Sequence, residues 1–121
     1  MALDGVITEQ TWNRFFADAD PVKAFVATLG HQLVGLVHIV HHPSTSRFND
    51  VCYLQDLFTS EAARGQGVGR ALIQRVYEEA QAKGCSRVYW TTFADNHTAR
   101  RLYDQVAHHK GAIVYVHELS S

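Results

Sequence analysis

The sequence predicts an α/β domain, with helices packed on a mixed sheet, and three observations predict it. Apolar, β-branched-rich runs of strand length fall at residues 23–29, 32–41, 51–59, 87–92 and 113–117. Two amphipathic stretches of helical period, starting at Val68 and near Ala99, separate the later ones. A glycine-rich segment, Arg64-Gly65-Gln66-Gly67-Val68-Gly69-Arg70, joins a strand-like run to a helix-like one. The predicted order is helix, three strands, helix, strand, helix, strand.

Each element has its own signal. Thr8-Glu9-Gln10-Thr11 offers an N-cap to Trp12, Phe15 and Phe16, predicting a short helix over 8–17 that residues 18–21 end. Gly30-His31 joins the next two runs as a hairpin. Residues 43–50 read as a polar loop, and 51–59 as the strand that ends at the glycine segment. Val68, Leu72, Val76 and Ala80 recur every four residues, with Arg70, Gln74, Glu78 and Gln81 opposite and Gly84 where a C-cap belongs. Ala99, Leu102, Tyr103 and Val106 mark the last helix, capped by Asp95 or Asn96.

Composition narrows the functional classes. At 121 residues, 46% hydrophobic and 19% charged, the chain reads as one soluble domain with its own core. Its longest apolar run, 34–40, is broken by Gly35 and His38 and is too short to span a bilayer. No charged-then-apolar leader opens the chain, and Cys52 and Cys85 lack metal or redox spacing, which predicts reduced thiols in a cytoplasmic protein. A net charge of −1 with eight histidines makes no electrostatic case for nucleic acid. His38, His41 and His42 lack the partners of a metal site, so no metal is expected, although His38 or His42 could serve as a base. His108-His109 reads as a solvated helix end.

The glycine segment points to an anion. Glycines let backbone N–H groups approach a phosphate, and the helix that follows adds unpaired N–H groups and the positive end of its dipole. A Walker loop is absent, and the third glycine comes one residue early for a dinucleotide fingerprint. The pattern Arg/Gln-x-x-Gly-x-Gly/Ala, by contrast, is met by Arg64, Gly67 and Gly69. It resembles the pyrophosphate loop of the GNAT superfamily of acetyl-CoA-dependent N-acetyltransferases. Asn96-His97-Thr98-Ala99-Arg100-Arg101-Leu102-Tyr103 is similar to that superfamily's Asn-x-x-Ala-x-x-Leu-Tyr segment, and Tyr53-Leu54-Gln55-Asp56-Leu57-Phe58-Thr59 to the strand before its loop. The resemblance covers residues 23–117 and leans toward the polyamine- and histone-type branch. The superfamily normally opens with a further strand and helix, so the chain looks N-terminally short, and a homodimer or larger homo-oligomer is expected to cover the gap.

The resemblance implies acetyl-CoA as cosubstrate and the amine of a small molecule, or a protein lysine or N-terminus, as acceptor. The pantetheine arm would pair with the backbone of Leu57, Phe58 and Thr59. The diphosphate would sit on Gly65, Gln66, Gly67, Val68, Gly69 and Arg70, with Arg64 or Arg70 adding charge, unless these arginines are merely solvated. Asn96 and Arg100 would touch the cofactor's far side, or else cap and coat the last helix. Tyr103 would protonate the leaving thiolate; its alternative is a core aromatic. Where related enzymes carry a glutamate base, this chain has Gln55, which cannot accept a proton at useful pH, whereas Asp56 is retained and could attract the amine or relay a proton. The rival reading is a non-catalytic acyl-CoA-binding module of the same fold.

Overall fold

Gly30, at φ +62°, takes the left-handed backbone that a two-residue hairpin turn needs and that side chains resist. It joins β2 (Val22–Leu29) to β3 (Gln32–His42) in the computed structural model, which describes residues 7–10 and 21–119. β1 (Ile7–Gln10) lies outside β2, and β4 (Val51–Thr59) lies beside β3. These four strands pair antiparallel in chain order. A 3₁₀ turn at Glu61–Ala63 and the glycine segment lead into α1 (Val68–Ala82), and β5 (Val88–Tyr89) returns parallel to β4. The chain divides into two compact units, Met1–Thr91 and Thr92–Ser121, and these elements belong to the first.

The core of that unit lies between α1 and one face of the sheet. Phe25, Val37, Ile39 and Cys52 from the strands, with Val68, Leu72, Ile73 and Val76 from α1, are at most 1% exposed. Gly35 sets how closely the two layers approach. A Cβ there would stand 2.7 Å from Val68 Cγ1 and 2.9 Å from Leu72 Cδ1. The bare backbone therefore seats the first turn of α1 directly on β3. Lower on the same interface Lys23 Nζ donates to Glu79 Oε2 at 3.0 Å, an ion pair almost fully out of water. Arg75 stacks over the Phe25 ring with its guanidinium carbon 4.5 Å from the centroid.

The second unit contains α2 (His97–Val106). Asn96 is its cap: Oδ1 accepts from Ala99 N at 3.4 Å, and Nδ2 donates to Thr92 Oγ1 at 3.3 Å.

Three expectations are corrected. Residues 8–10 of the expected first helix form β1, because the outer edge of β2 offers a full ladder (Thr8↔Val26, Glu9↔Phe25, Gln10↔Ala24) that outweighs local helical spacing. The rest of that expected helix lies outside the described residues. The expected 87–92 strand shrinks to Val88–Tyr89, the residues of that run that pair with β4. Residues 113–117 form no strand, since a strand needs a partner ladder and the described residues of the second unit contain none. Their side chains are largely exposed, Ile113 at 73% and Tyr115 at 90%. Among the described residues no helix is long and apolar enough to cross a membrane.

Candidate active site

α1 opens without a side-chain cap. Gly67 holds the N-cap position at φ +81°, and Gly65 has the same φ. Both conformations favour glycine, whereas Gly69 already lies inside the helix. Val68 is buried against Gly35, so its side chain is structural and its backbone serves the loop. The N–H groups that open a helix have no acceptor within the helix itself. Arg64 and Arg70 lie exposed on either side of this amino end, and a helix amino end of this kind suits an anion. Gln66 closes the preceding turn, its backbone N–H donating to Ala63 O at 3.3 Å and its side chain to Ala62 O at 3.5 Å.

β4 supplies an edge that leads toward this loop. It pairs with β5 only at Cys52↔Val88 and Tyr53↔Tyr89, so from Leu54 to Thr59 no described strand lies on its outer side. The direction of its backbone groups follows from the ladder. Ser60 N–H donates to Val34 O at 2.8 Å, and bonded pairs alternate in an antiparallel sheet. The N–H and C=O of Asp56 and Phe58 therefore turn toward β3, and those of Leu57 and Thr59 toward the open edge.

A bulge separates the two halves of β4. His38 pairs with Asp56 but Ile39 pairs with Leu54, leaving Gln55 as the extra residue. Bulges bend and re-aim a strand, and here both Gln55 and Asp56 emerge exposed. On the face away from α1, His38 Nδ1 lies 3.2 Å from Asp56 Oδ2. Further down, Tyr53 and Tyr89 stack at 4.9 Å, Arg87 sits 4.9 Å over the Tyr89 ring, and Tyr89 Oη is 2.7 Å from His42 Nε2. His42 Nδ1 is 2.8 Å from Pro43 O, an acceptor only, so Nδ1 donates and Nε2 accepts the Tyr89 hydroxyl proton.

The opposite face holds His41, Cys52 and Cys85. Cys85 Sγ is 3.3 Å from His41 Nδ1. Burial pushes the Cys52 thiol up to about 12, with Cys85 and Glu79 adding to it. Burial, Asp50 and Glu79 raise Cys85 as well, so neither cysteine offers a thiolate. Burial lowers the pKa of His41, against a smaller opposing effect of Glu79.

In the second unit Arg100 donates to Ala94 O and lies 3.2 Å from His109 Nε2, so part of its charge is spent on its own loop. Tyr103 is partly buried on α2, and that burial pushes its phenol above the ordinary 10. His109, exposed as expected, accepts at Nδ1 from Gly111 N at 3.2 Å.

The model of the acetyltransferase (GNAT) family matches residues 3–108. The chain belongs to that family. It is 39% identical over 82 residues to D-amino-acid N-acetyltransferase HPA3 of Saccharomyces cerevisiae, a match covering 68% of this chain and 51% of that protein. It is 27% identical over 85 residues to thialysine N-epsilon-acetyltransferase of Caenorhabditis elegans, covering 70% of this chain and 52% of the relative. The chain thus spans about half the length of these two relatives. Among solved structures it resembles a soil-metagenome aminoglycoside acetyltransferase, HMB0005, with TM-score 0.80, 20% identity and coverage of 88% and 71%. A ribosomal-protein-alanine N-acetyltransferase from Brucella melitensis biovar Abortus gives TM-score 0.73 and 22% identity, covering 88% of this chain and 76% of the other. These two likenesses establish the GNAT fold.

The GNAT family uses acetyl-CoA, and the first unit has features that suit it: an open strand edge for an amide-bearing arm and an uncapped helix end for its diphosphate. Among the described residues no cluster of His, Cys, Asp and Glu could hold a metal ion. Sequence reasoning missed Gly35, the Gln55 bulge and the Tyr89–His42 bond. Only the first had a signal, an isolated glycine inside an apolar strand.

Proposed function

We propose that the chain is the acetyl-CoA-dependent part of an N-acetyltransferase that moves acetyl directly to a primary amine. The observation that carries this reading is the open edge of β4 after Tyr53, which leads toward the uncapped amino end of α1. The two amides of pantetheine pair with Leu57 and Thr59, and Phe58 shields the arm. The diphosphate lies against residues 65–70, with Arg64 and Arg70 adding charge. Asn96 and Arg100 border the far side of the cofactor.

The chemistry follows from these roles. Leu57 N–H, the first edge-facing amide past the bulge, polarises the thioester carbonyl. Asp56 attracts the cationic amine. Amine nitrogen attacks the carbonyl carbon, the tetrahedral intermediate collapses, and the C–S bond breaks. Tyr103 protonates the departing thiolate; its raised pKa keeps the phenol protonated throughout the neutral range. The protonated state of both cysteines supports direct transfer over an acyl-enzyme.

The names of the relatives, acting on D-amino acids and thialysine, favour a small amine carrying a carboxylate as acceptor over a protein lysine or N-terminus. The protein acts in the cytoplasm as a homodimer, a reading supported by the exposed apolar run 113–116. The test is CoA release from acetyl-CoA with a panel of amines. Turnover, with kcat in Tyr103→Phe reduced about 100-fold at unchanged acetyl-CoA affinity, is the expected result. Tight acetyl-CoA binding without CoA release for any amine would instead mark a sensor module.

A further inference from the structure

The sheet face away from α1 carries a positive group as well as the carboxylate of Asp56. Arg87, at the entry to β5, is exposed, and its guanidinium carbon sits 4.9 Å from the centre of the Tyr89 ring. We infer that Arg87, seated on Tyr89, binds the carboxylate of the acceptor, which is an amino acid acetylated at a side-chain amine; this rests on the acetyltransferase reading above.

Tyr89 is a fixed platform. Its ring packs on Tyr53 with centroids 4.9 Å apart and meets the His42 ring edge-on at 5.8 Å. Its hydroxyl donates to His42 Nε2 at 2.7 Å, and His42 is held in turn by Nδ1, which donates to Pro43 O. A guanidinium seated over such a ring is anchored through its face. The N–H groups on its edge are left for a carboxylate, which they meet with two parallel hydrogen bonds. Arg75, stacked on Phe25, is by contrast drawn to Glu78 and Glu79, each 3.9 Å away. Arg87 forms no such ion pair with a described residue.

Asp56, which attracts the acceptor's ammonium in the proposed reaction, shares this face. Tyr53 pairs with Val40 on one side and Tyr89 on the other, and Asp56 pairs with His38. His38 and Val40 are two residues apart on β3, so Asp56 stands about 7 Å along the strands from Tyr53. Tyr89 lies one strand further across, about 4.8 Å. Opposite charges at this spacing select among amines. An α-ammonium is separated from its carboxylate by a single carbon and cannot meet Asp56 and Arg87 together. An amine at the end of a side chain, five bonds beyond the α-carbon in thialysine, reaches Asp56 while its carboxylate rests on Arg87. A lysine inside a protein chain lacks that carboxylate and gains nothing from Arg87.

The experiment compares two acceptors, thialysine and bis(2-aminoethyl) sulfide, which is thialysine without its carboxylate. The proteins are the wild type, Arg87→Gln, Arg87→Lys and, as control, Lys83→Gln at the exposed end of α1. Acetyl-CoA affinity, and the affinity of the CoA-loaded protein for thialysine, are measured calorimetrically, and the acetylated nitrogen is assigned by NMR. The wild type is expected to favour thialysine and to acetylate its distal nitrogen. Arg87→Gln should raise the KM for thialysine about 10–100-fold, with kcat, acetyl-CoA affinity and use of the diamine unchanged. Arg87→Lys should restore part of the preference, and Lys83→Gln should match the wild type. Equal use of the two acceptors by the wild type, an unchanged thialysine KM in Arg87→Gln, or acetyl on the α-nitrogen overturns the proposal and leaves the acetyltransferase reading intact. If acetyl-CoA binds but neither acceptor turns over, binding decides. Thialysine affinity lost in Arg87→Gln upholds the carboxylate site, and affinity that is equal or undetectable in both proteins overturns it. A wild type that does not bind acetyl-CoA removes both readings.

Discussion

The two halves of β4 have opposite fates. Val51 to Leu54 is held by β3 on one side and, at Cys52 and Tyr53, by β5 on the other, with Cys52 fully buried and Leu54 at 4% exposure. Among the described strands Gln55 to Thr59 keeps only β3, and Phe58 is 59% exposed. One extra residue, Gln55, separates them. The first half spends its backbone and side chains on the fold. The second leaves a row of edge groups and carries the His38–Asp56 pair. A strand can thus be a scaffold and an open edge in succession, with a bulge between the two.

The sharpest way to break this comparison is truncation of the buried half. Leu54→Ala should cost about 3 kcal/mol in denaturant unfolding, because the site beneath α1 cannot collapse around the lost atoms. Gly35→Val comes next. It overpacks the contact with Val68 and Leu72 and should cost about 2 kcal/mol, while weakening acetyl-CoA binding by displacing the first turn of α1. A wild-type affinity in that variant would show that the seating of α1 on β3 does not shape the loop.

His41 yields a smaller, pH-dependent effect. Its folded pKa lies below the unfolded value of 6.5, so the unfolded state binds more protons on acidification. Its contribution is fully present above about pH 6.5 and is lost as pH falls toward the folded pKa. The melting temperature of His41→Gln should therefore fall less steeply between neutrality and pH 5 than that of the wild type. Smallest of all is Phe58→Ala in the open half, expected to shift stability by no more than about 0.5 kcal/mol. Its effect belongs instead in the KM for acetyl-CoA.

Much of this layout was legible in the residues. The hairpin at Gly30, the Val68 helix and the cap of α2 carry local signals, and each forms where those signals place it. The role proposed for the glycine loop rests on Gly65 and Gly67, because an anion site of that kind needs accessible backbone N–H groups. Tertiary pairing was less visible. Thr8 to Gln10 carry a helix-start pattern, yet the free edge of β2 draws them into a ladder. Residues 113–117 have strand composition but find no partner among the described residues of their unit. The bulge was hidden because nothing in Leu54-Gln55-Asp56 distinguishes an inserted residue from an ordinary alternation. Without it, the closeness of His38 to Asp56 could not be foreseen, although both residues stood out on their own.

The most direct test of the central claim is calorimetric titration of acetyl-CoA into the wild type and Gly67→Glu. The substitution puts a side chain at φ +81° and a negative charge at the amino end of α1. Saturable binding to the wild type, lost in a folded Gly67→Glu, is the predicted result. Equal affinity in both, or none in the wild type, would contradict the assignment of the loop and the β4 edge to acetyl-CoA.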